Sequence, residues 1–302
     1  MAAGNAEAGD SARDTYVEKR SSKGRKDLSY PEPPEPLAVP VYDNHCHLDI
    51  VDGDDPLTLA EQLDRAATVG IAGVVQASGD IESSRWAADA ADRDPRVLAA
   101  VAIHPNDAPA YAERGELDDA IAEIASLAGR ERVRAIGETG LDFFRTGEEG
   151  RPAQYRSFEA HIALAKEHGI AMQIHDRDAH REVLDTLVRE GAPERTVFHC
   201  FSGDEAMALE AAEQGYWLSF AGNITFKNAQ NLRDAIAVTP RERILVETDA
   251  PFLTPVPYRG RPNAPYLVPL TMRFIAAELG CDLDELCDQV ARNTREVYGD
   301  FA

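Results

Sequence analysis

From Val41 onward the chain alternates short apolar, β-branched runs with stretches whose apolar positions recur every three or four residues. VPVYDNHCHLD, GIAGVVQAS, RVLAAVAIHP, RVRAIGETGLD, GIAMQIHDRD, RTVFHCFSG, GYWLSFAGN and RILVETDAPFL read as buried strands. Between them PLTLAEQLDRAATVG, ELDDAIAEIASLAGR, QYRSFEAHIALAKEHG, AHREVLDTLVREG and DEAMALEAAEQG carry helical periodicity, and another such pattern, Leu267 to Leu279, follows the eighth strand. Eight strand-then-helix units in succession predict an α/β fold, a TIM-type (β/α)8 barrel, with a doubly wound open sheet as the structural alternative. LDELCDQVARNTREVYG predicts a last helix that closes off one end.

Residues 1–38 stand apart from this alternation. They mix Ala, Gly, Ser, Lys, Arg and Glu without apolar periodicity and finish in PEPPEPLAVP, which predicts a disordered, proline-rich N-terminal extension ahead of a single barrel domain, 39–302. Deleting 1–38 should then leave melting temperature and activity nearly unchanged.

Composition narrows the class. The 302 residues suit one barrel, and an apolar share of 44% beside a charged share of 28% suits a soluble globular protein. No run of about 18 apolar residues predicts a membrane helix, and MAAGNAEAGDSARD lacks the layout of a secretory signal. The four cysteines form no CxxC pair and read as reduced thiols of a cytoplasmic protein. The formal net charge of −22 excludes a protein that grips nucleic acid through a broad basic surface; a polyanion would be held only at a local site with metal ions.

Candidate chemistry enters at DNHCHLD. Side chains alternate along a strand, so His45 and His47 face one side and Cys46 the other. Two neutral imidazoles facing one spot are the start of a metal site. The active site of such a barrel forms at the C-terminal ends of its strands. His45 and His47 are expected to end strand one, His104 strand three, Glu138 strand four, His175 strand five, His199 strand six and Asp249 strand eight. Thus five of the eight histidines fall at strand ends, while His161, His168 and His180 fall in helical stretches and are assigned no chemistry. Six ligands are too many for one open site, and a carboxylate can bridge two ions about 3.5–4 Å apart. Glu138, central in strand order, is the expected bridge; Asp249 is expected to bind one ion and accept the proton of the attacking water. From the residues alone this is a two-metal hydrolase of a phosphoester, amide or lactone bond.

HCHLD, AIHPND, GETGLDFF, QIHDRDA, HCFSG and ETDAPFL, in this order and spacing, resemble the TatD family of metal-dependent deoxyribonucleases, over roughly Val41 to the final NTREVYG. The resemblance implies a barrel of the amidohydrolase superfamily that hydrolyses DNA phosphodiester bonds, often as a 3′→5′ exonuclease. It implies one metal held by His45, His47, Glu138 and Asp249 and a second held by Glu138, His175 and His199. His104 would face substrate phosphate. Where the family usually has Asn-Glu-Pro after the last strand, this chain reads Asn263-Ala264-Pro265.

Other readings are carried alongside. Phosphotriesterase-like and dihydroorotase-like relatives generally bridge their metals with a carboxylated lysine at strand four, but GETGLD holds Glu138 and no lysine. Hydrolysis of the ester bond of a misacylated tRNA would use the same metals, and an amidase or lactonase is a further alternative. A catalytically idle binding protein is the reading from another class. The metals are expected to be two divalent ions, Mg, Mn or Zn. DNA is the expected partner, with no membrane and no obligate protein partner, and the protein is expected to be a monomer. His104, Arg177, Arg259 and Arg261 are candidate substrate contacts.

Overall fold

The computed structural model describes residues 27–301. Its eight strands are β1 (Val41–Cys46), β2 (Ile71–Gln76), β3 (Val97–Val101), β4 (Val133–Asp142), β5 (Ala171–Arg177), β6 (Thr196–Phe198), β7 (Trp217–Phe220) and β8 (Ile244–Val246). All neighbours pair in parallel and in sequence order. The ring closes just beyond β8: the Asp249 N–H donates to the His45 carbonyl at 2.9 Å, and the His47 N–H to the Ala250 carbonyl at 2.7 Å. The TIM-type barrel expected from periodicity is thus present, and the open sheet is not.

Ten α-helices occur among the described residues: α1 (Leu59–Thr68), α2 (Ile81–Arg93), α3 (Ala108–Glu113), α4 (Leu117–Ala128), α5 (Arg151–His168), α6 (His180–Glu190), α7 (Glu205–Glu213), α8 (Gln230–Val238), α9 (Val268–Leu279) and α10 (Leu283–Tyr298). Several start where a side chain can cap free N–H groups. Thr58 and Glu61 form a reciprocal capping box at α1, and Asp204 and Asp282 cap α7 and α10. None of the described helices is long and apolar enough to cross a membrane, and all four cysteines carry free thiols.

Two apolar layers hold the barrel. The outer one lies between strands and helices. The inner one fills the barrel's lower end, where Val75, Leu98, Ala171, Val197, Trp217 and Leu245 meet Val297, Tyr298 and Phe301 from the C-terminal helix and its extension. Except for Val75, which lies level with Leu98, those strand residues are the first or second of their strands. The expected last helix therefore plugs the N-terminal end and leaves the opposite end for polar side chains.

Part of the segment expected to be free is docked. Residues 1–26 lie outside the described residues, but 27–38 run along the barrel. Leu37 is buried and donates its N–H to the Val69 carbonyl at 3.0 Å. The Tyr266 hydroxyl donates to the Pro31 carbonyl at 2.6 Å, and Arg273 reaches the Pro36 carbonyl at 3.1 Å. Arg261 donates to the Ser29 and Tyr30 carbonyls at 3.0 and 2.9 Å. Composition misleads here because backbone carbonyls of a proline-rich segment are good acceptors whatever its side chains. Burial of one leucine is worth about 1.5–3 kcal/mol and each such hydrogen bond about 1 kcal/mol. Set against the entropy of ordering this segment, these contacts leave a net gain of a few kcal/mol, so a chain starting at residue 39 should melt roughly 5–10 °C below one starting at residue 27. Equal melting temperatures in calorimetry would show that this segment contributes nothing.

Candidate metal centre

The polar side chains gather at the C-terminal end of the barrel, each set there by its strand. Asp43, His45 and His47 alternate inward from β1. His199 follows β6 directly, and Asp249 lies three residues past β8 at φ +54°, fixed by its N–H bond to His45. Glu138 and His175 depart from expectation: they lie within β4 and β5 rather than at their ends. The β4–β5 register shifts between Ile136 and Thr139, which lets β4 run on to Asp142. Two glycines make this possible. A Cβ on Gly137 would stand 2.5 Å from the Gln173 Cβ, and one on Gly140, at φ +145°, 2.0 Å from the His175 carbonyl oxygen.

Glu138 is the centre of the cluster. Its Oε1 lies 2.7 Å from His175 Nδ1, 3.0 Å from His199 Nε2 and 3.1 Å from His104 Nε2. Its Oε2 lies 3.4 Å from His47 Nε2 and 3.6 Å from His45 Nε2. Asp249 Oδ1 stands 3.6 and 3.8 Å from those same two nitrogens, which are 3.1 Å apart. One carboxylate thus divides the histidines into two groups, one at each oxygen. All six expected ligands come together, with His104 beside them.

Partners behind the rings indicate which nitrogen faces inward. The Gln173 amide donates to the Asn44 carbonyl and the Tyr298 hydroxyl, so its oxygen faces His45 Nδ1 at 3.0 Å. His45 then carries its proton on Nδ1 and offers an Nε2 lone pair. Asp142 Oδ2 lies 3.2 Å from His175 Nε2, and Glu247 Oε1 3.2 Å from His199 Nδ1. His104 is the reverse case. Its Nδ1 accepts the Asn106 N–H at 3.0 Å, so a neutral ring bears its proton on Nε2 and donates to Glu138. By distance alone His104, Glu138 and His175 could share an ion; by tautomer His104 is a hydrogen-bond donor.

The electrostatics favour a cation. Burial opposes charge on His47, yet its bonds to Asp249 and Glu138 prevail and push it up to about 10. Burial likewise opposes charge on His199 and His175, and Glu138 with Glu247 or Asp142 raises both. Burial would lift the Glu138 carboxyl, but His199 and His104 hold it well below its usual range. His45 alone among the expected ligand histidines is lowered, by burial and by His199. Converging imidazole nitrogens beside two carboxylates are a donor set that fits divalent metal ions.

Several working residues escaped the sequence reading: Asp43, Asp142, Gln173 and Glu247. The period of two already pairs them with expected ligands, as Asp43 with His45, Asp142 with Glu138, Gln173 with His175, and Glu247 with Asp249. His161, assigned no chemistry, accepts the Ile103 N–H at 3.1 Å and donates from Nδ1 to the Ser157 carbonyl at 2.6 Å, propping the strand end that carries His104. Burial lowers His161 to about 4. Because the folded value lies below the unfolded one near 6.5, stability is present above pH 6.5 and is lost as pH falls toward 4, by roughly 3 kcal/mol. Denaturant unfolding of chelated protein from pH 7 to 4 should show this loss, and His161→Gln should flatten that part of the slope. An unchanged slope would remove the assignment.

The arginines separate. Arg177 stacks over Phe144 with its guanidinium 3.9 Å from the ring centre, and Phe144 is 61% exposed at the mouth. Arg259 stacks on Phe226. Arg261 is occupied by residues 27–30, including Asp27 Oδ2 at 3.4 Å, so as a substrate contact it is corrected to a structural anchor. Ala264 is fully buried, while Asn263 holds its loop by donating to the Thr248 carbonyl at 3.0 Å.

Comparison with known proteins agrees with this geometry. A family described as TatD related DNase matches residues 42–299. An uncharacterized metal-dependent hydrolase TatD of Mycobacterium tuberculosis is 42% identical over 263 residues, covering 86% of this chain and 98% of that one. The uncharacterized metal-dependent hydrolase YabD of Bacillus subtilis is 33% identical over 85% of this chain and 98% of its own. Among solved structures, YjjV, a TatD homologue from Escherichia coli, superposes with a TM-score of 0.77 at 27% identity, over 85% of this chain and 97% of that one.

Proposed function

The chain belongs to the TatD family of metal-dependent hydrolases, and on that premise we propose that it hydrolyses phosphodiester bonds of DNA, as a 3′→5′ exonuclease, with two divalent ions. The observation that carries the two-ion reading is the division at Glu138, one oxygen toward His45 and His47 and the other toward His175 and His199. His45, His47, Glu138 and Asp249 would hold one ion; Glu138, His175 and His199 the other. Bound there, the ions supply Lewis-acid polarisation of the phosphoryl group and a water acidified toward neutral pH.

The chain's own groups do the rest. Asp249 Oδ1, facing His45 and His47, is the proton acceptor for the attacking water. His104 Nε2–H, fixed as a donor by Asn106, is placed to hydrogen-bond a phosphate oxygen. Arg177 meets a neighbouring phosphate, and the exposed Phe144 ring beneath it offers a face on which a base can stack. A glutamate rather than a lysine on β4 favours this reading over amidohydrolase relatives that use a carboxylated lysine.

The test is a metal-reconstituted screen over DNA, misacylated tRNA, phosphotriesters and lactones. DNA should be cleaved best, and chelation should abolish cleavage. Best turnover of a lactone or tRNA ester would overturn the substrate class and leave the metal centre intact. With −22 net charge, binding of a non-cleaved DNA analogue should show a salt slope of only about one to three contacts at roughly −0.9 each. Steep salt dependence that survives chelation would reveal a basic track instead.

A further inference from the structure

Glu247 is fully buried and touches no solvent, yet it stands immediately behind the cluster. Its Oε1 accepts two N–H groups, from the Cys200 backbone at 2.8 Å and from His199 Nδ1 at 3.2 Å. Its Oε2 has no hydrogen-bond partner. A carboxylate without solvent is costly to bury, so its retention asks for a compensating role. The Cys200 backbone sits at φ +43°, a region that residues with a side chain seldom adopt. One oxygen thus grips both the ring of His199 and the strained turn that follows it.

We propose that Glu247 is a positioning residue: it fixes His199 with the Nδ1 proton turned back and the Nε2 lone pair turned toward Glu138, and so sets the affinity of one ion rather than of both. His199 Nε2 lies 3.0 Å from Glu138 Oε1 on the far side of the ring from Glu247. A neighbouring grouping of His45, His199 and Glu247 is compact enough to suggest direct ligation by Glu247. For Oε1 that alternative fails, since that atom meets His199 Nδ1 and a backbone N–H; ligation through Oε2 would instead make Glu247→Gln lose the ion as fully as Glu247→Ala, which overturns the proposal. The brace behind His45 is a neutral amide, Gln173, whereas His199 has an anion. An anionic acceptor makes the imidazole a stronger donor to a metal, and losing such an outer partner typically costs about 10–100-fold in metal affinity. This inference rests on the metal-centre reading above but on no particular substrate.

The experiment uses the full chain, stripped by chelation and titrated with Zn²⁺ alone, for the native protein, Glu247→Gln and Glu247→Ala. Glu247→Ala should weaken one zinc equivalent by about 10–100-fold and leave the other unchanged. Glu247→Gln, whose amide oxygen can still accept, should fall between. In the stripped protein, hydrogen exchange at the Cys200 amide should speed up in Glu247→Ala and less so in Glu247→Gln. A strut without a positioning role would lower melting temperature and weaken both ions alike, and that result overturns the proposal. So does native zinc affinity in a folded Glu247→Ala. Should Glu247→Ala not fold, unchanged affinity and unchanged Cys200 exchange in Glu247→Gln overturn it equally. If the native chain binds a single zinc, the two-ion reading fails, and Glu247 is judged on whether that one ion weakens.

Discussion

Glu138→Ala should abolish hydrolysis and lower bound metal at both positions, with a loss in turnover on the order of 10³-fold or more, equivalent to about 4 kcal/mol of barrier. The size of the effect follows from how much converges on one carboxylate: three nitrogens on Oε1 within 3.1 Å and two more facing Oε2. On the two-ion reading, removing it would take a ligand from each ion, and it leaves the His104 N–H without its acceptor. Glu138→Gln separates these losses, because its amide oxygen can still accept from His104 while the charge is gone. Elemental analysis should find fewer than one ion per chain in both variants while circular dichroism finds the barrel intact. Full activity in Glu138→Ala would remove the bridged two-ion centre altogether.

Asp249→Asn should keep the fold and lose about 10²–10⁴-fold in kcat, the usual worth of general-base assistance. The substitution is mild on the backbone. Asn tolerates the left-handed region as Asp does, so φ +54° and the N–H bond to the His45 carbonyl persist. What is lost is an anionic oxygen beside His45 and His47. Two roles then have different signatures. If Asp249 only holds an ion, saturating metal should restore the rate; if it also takes the proton, the rate stays low at saturating metal. A loss under tenfold would assign the proton to another group.

The two substitutions also test how the site handles charge. The protein is strongly acidic as a whole, yet its polar end collects imidazoles that Glu138 and its neighbours keep disposed to bear positive charge. On the proposed function, an anionic substrate would be met by metal ions held in this cluster rather than by the protein surface. This is the physical sense in which an acidic chain can be proposed to act on a polyanion.

By itself the sequence determined the number and order of the strands, because a period of two against a period of 3.6 is a local property of the chain. It also determined which residues reach the polar end of the barrel. His45, His47, His175 and His199 lie in or just after their strands, and the alternation of side chains sends them inward whatever the rest of the molecule does; Asp249, beyond β8 at φ +54°, is instead set by its bond to His45. Only the tertiary structure decided what stands behind them. The partner of His45 is Gln173, 128 positions away, and that of His199 is Glu247, 48 positions away. Such pairings exist only once eight strands have closed into a ring. The same holds for residues 27–38, whose polar, proline-rich composition reads as unanchored until the loop carrying Arg261, 232 positions further on, presents donors to their carbonyls. Local periodicity fixes where a side chain points, whereas the tautomer of a histidine and the docking of a backbone carbonyl depend on partners that folding brings from elsewhere in the chain.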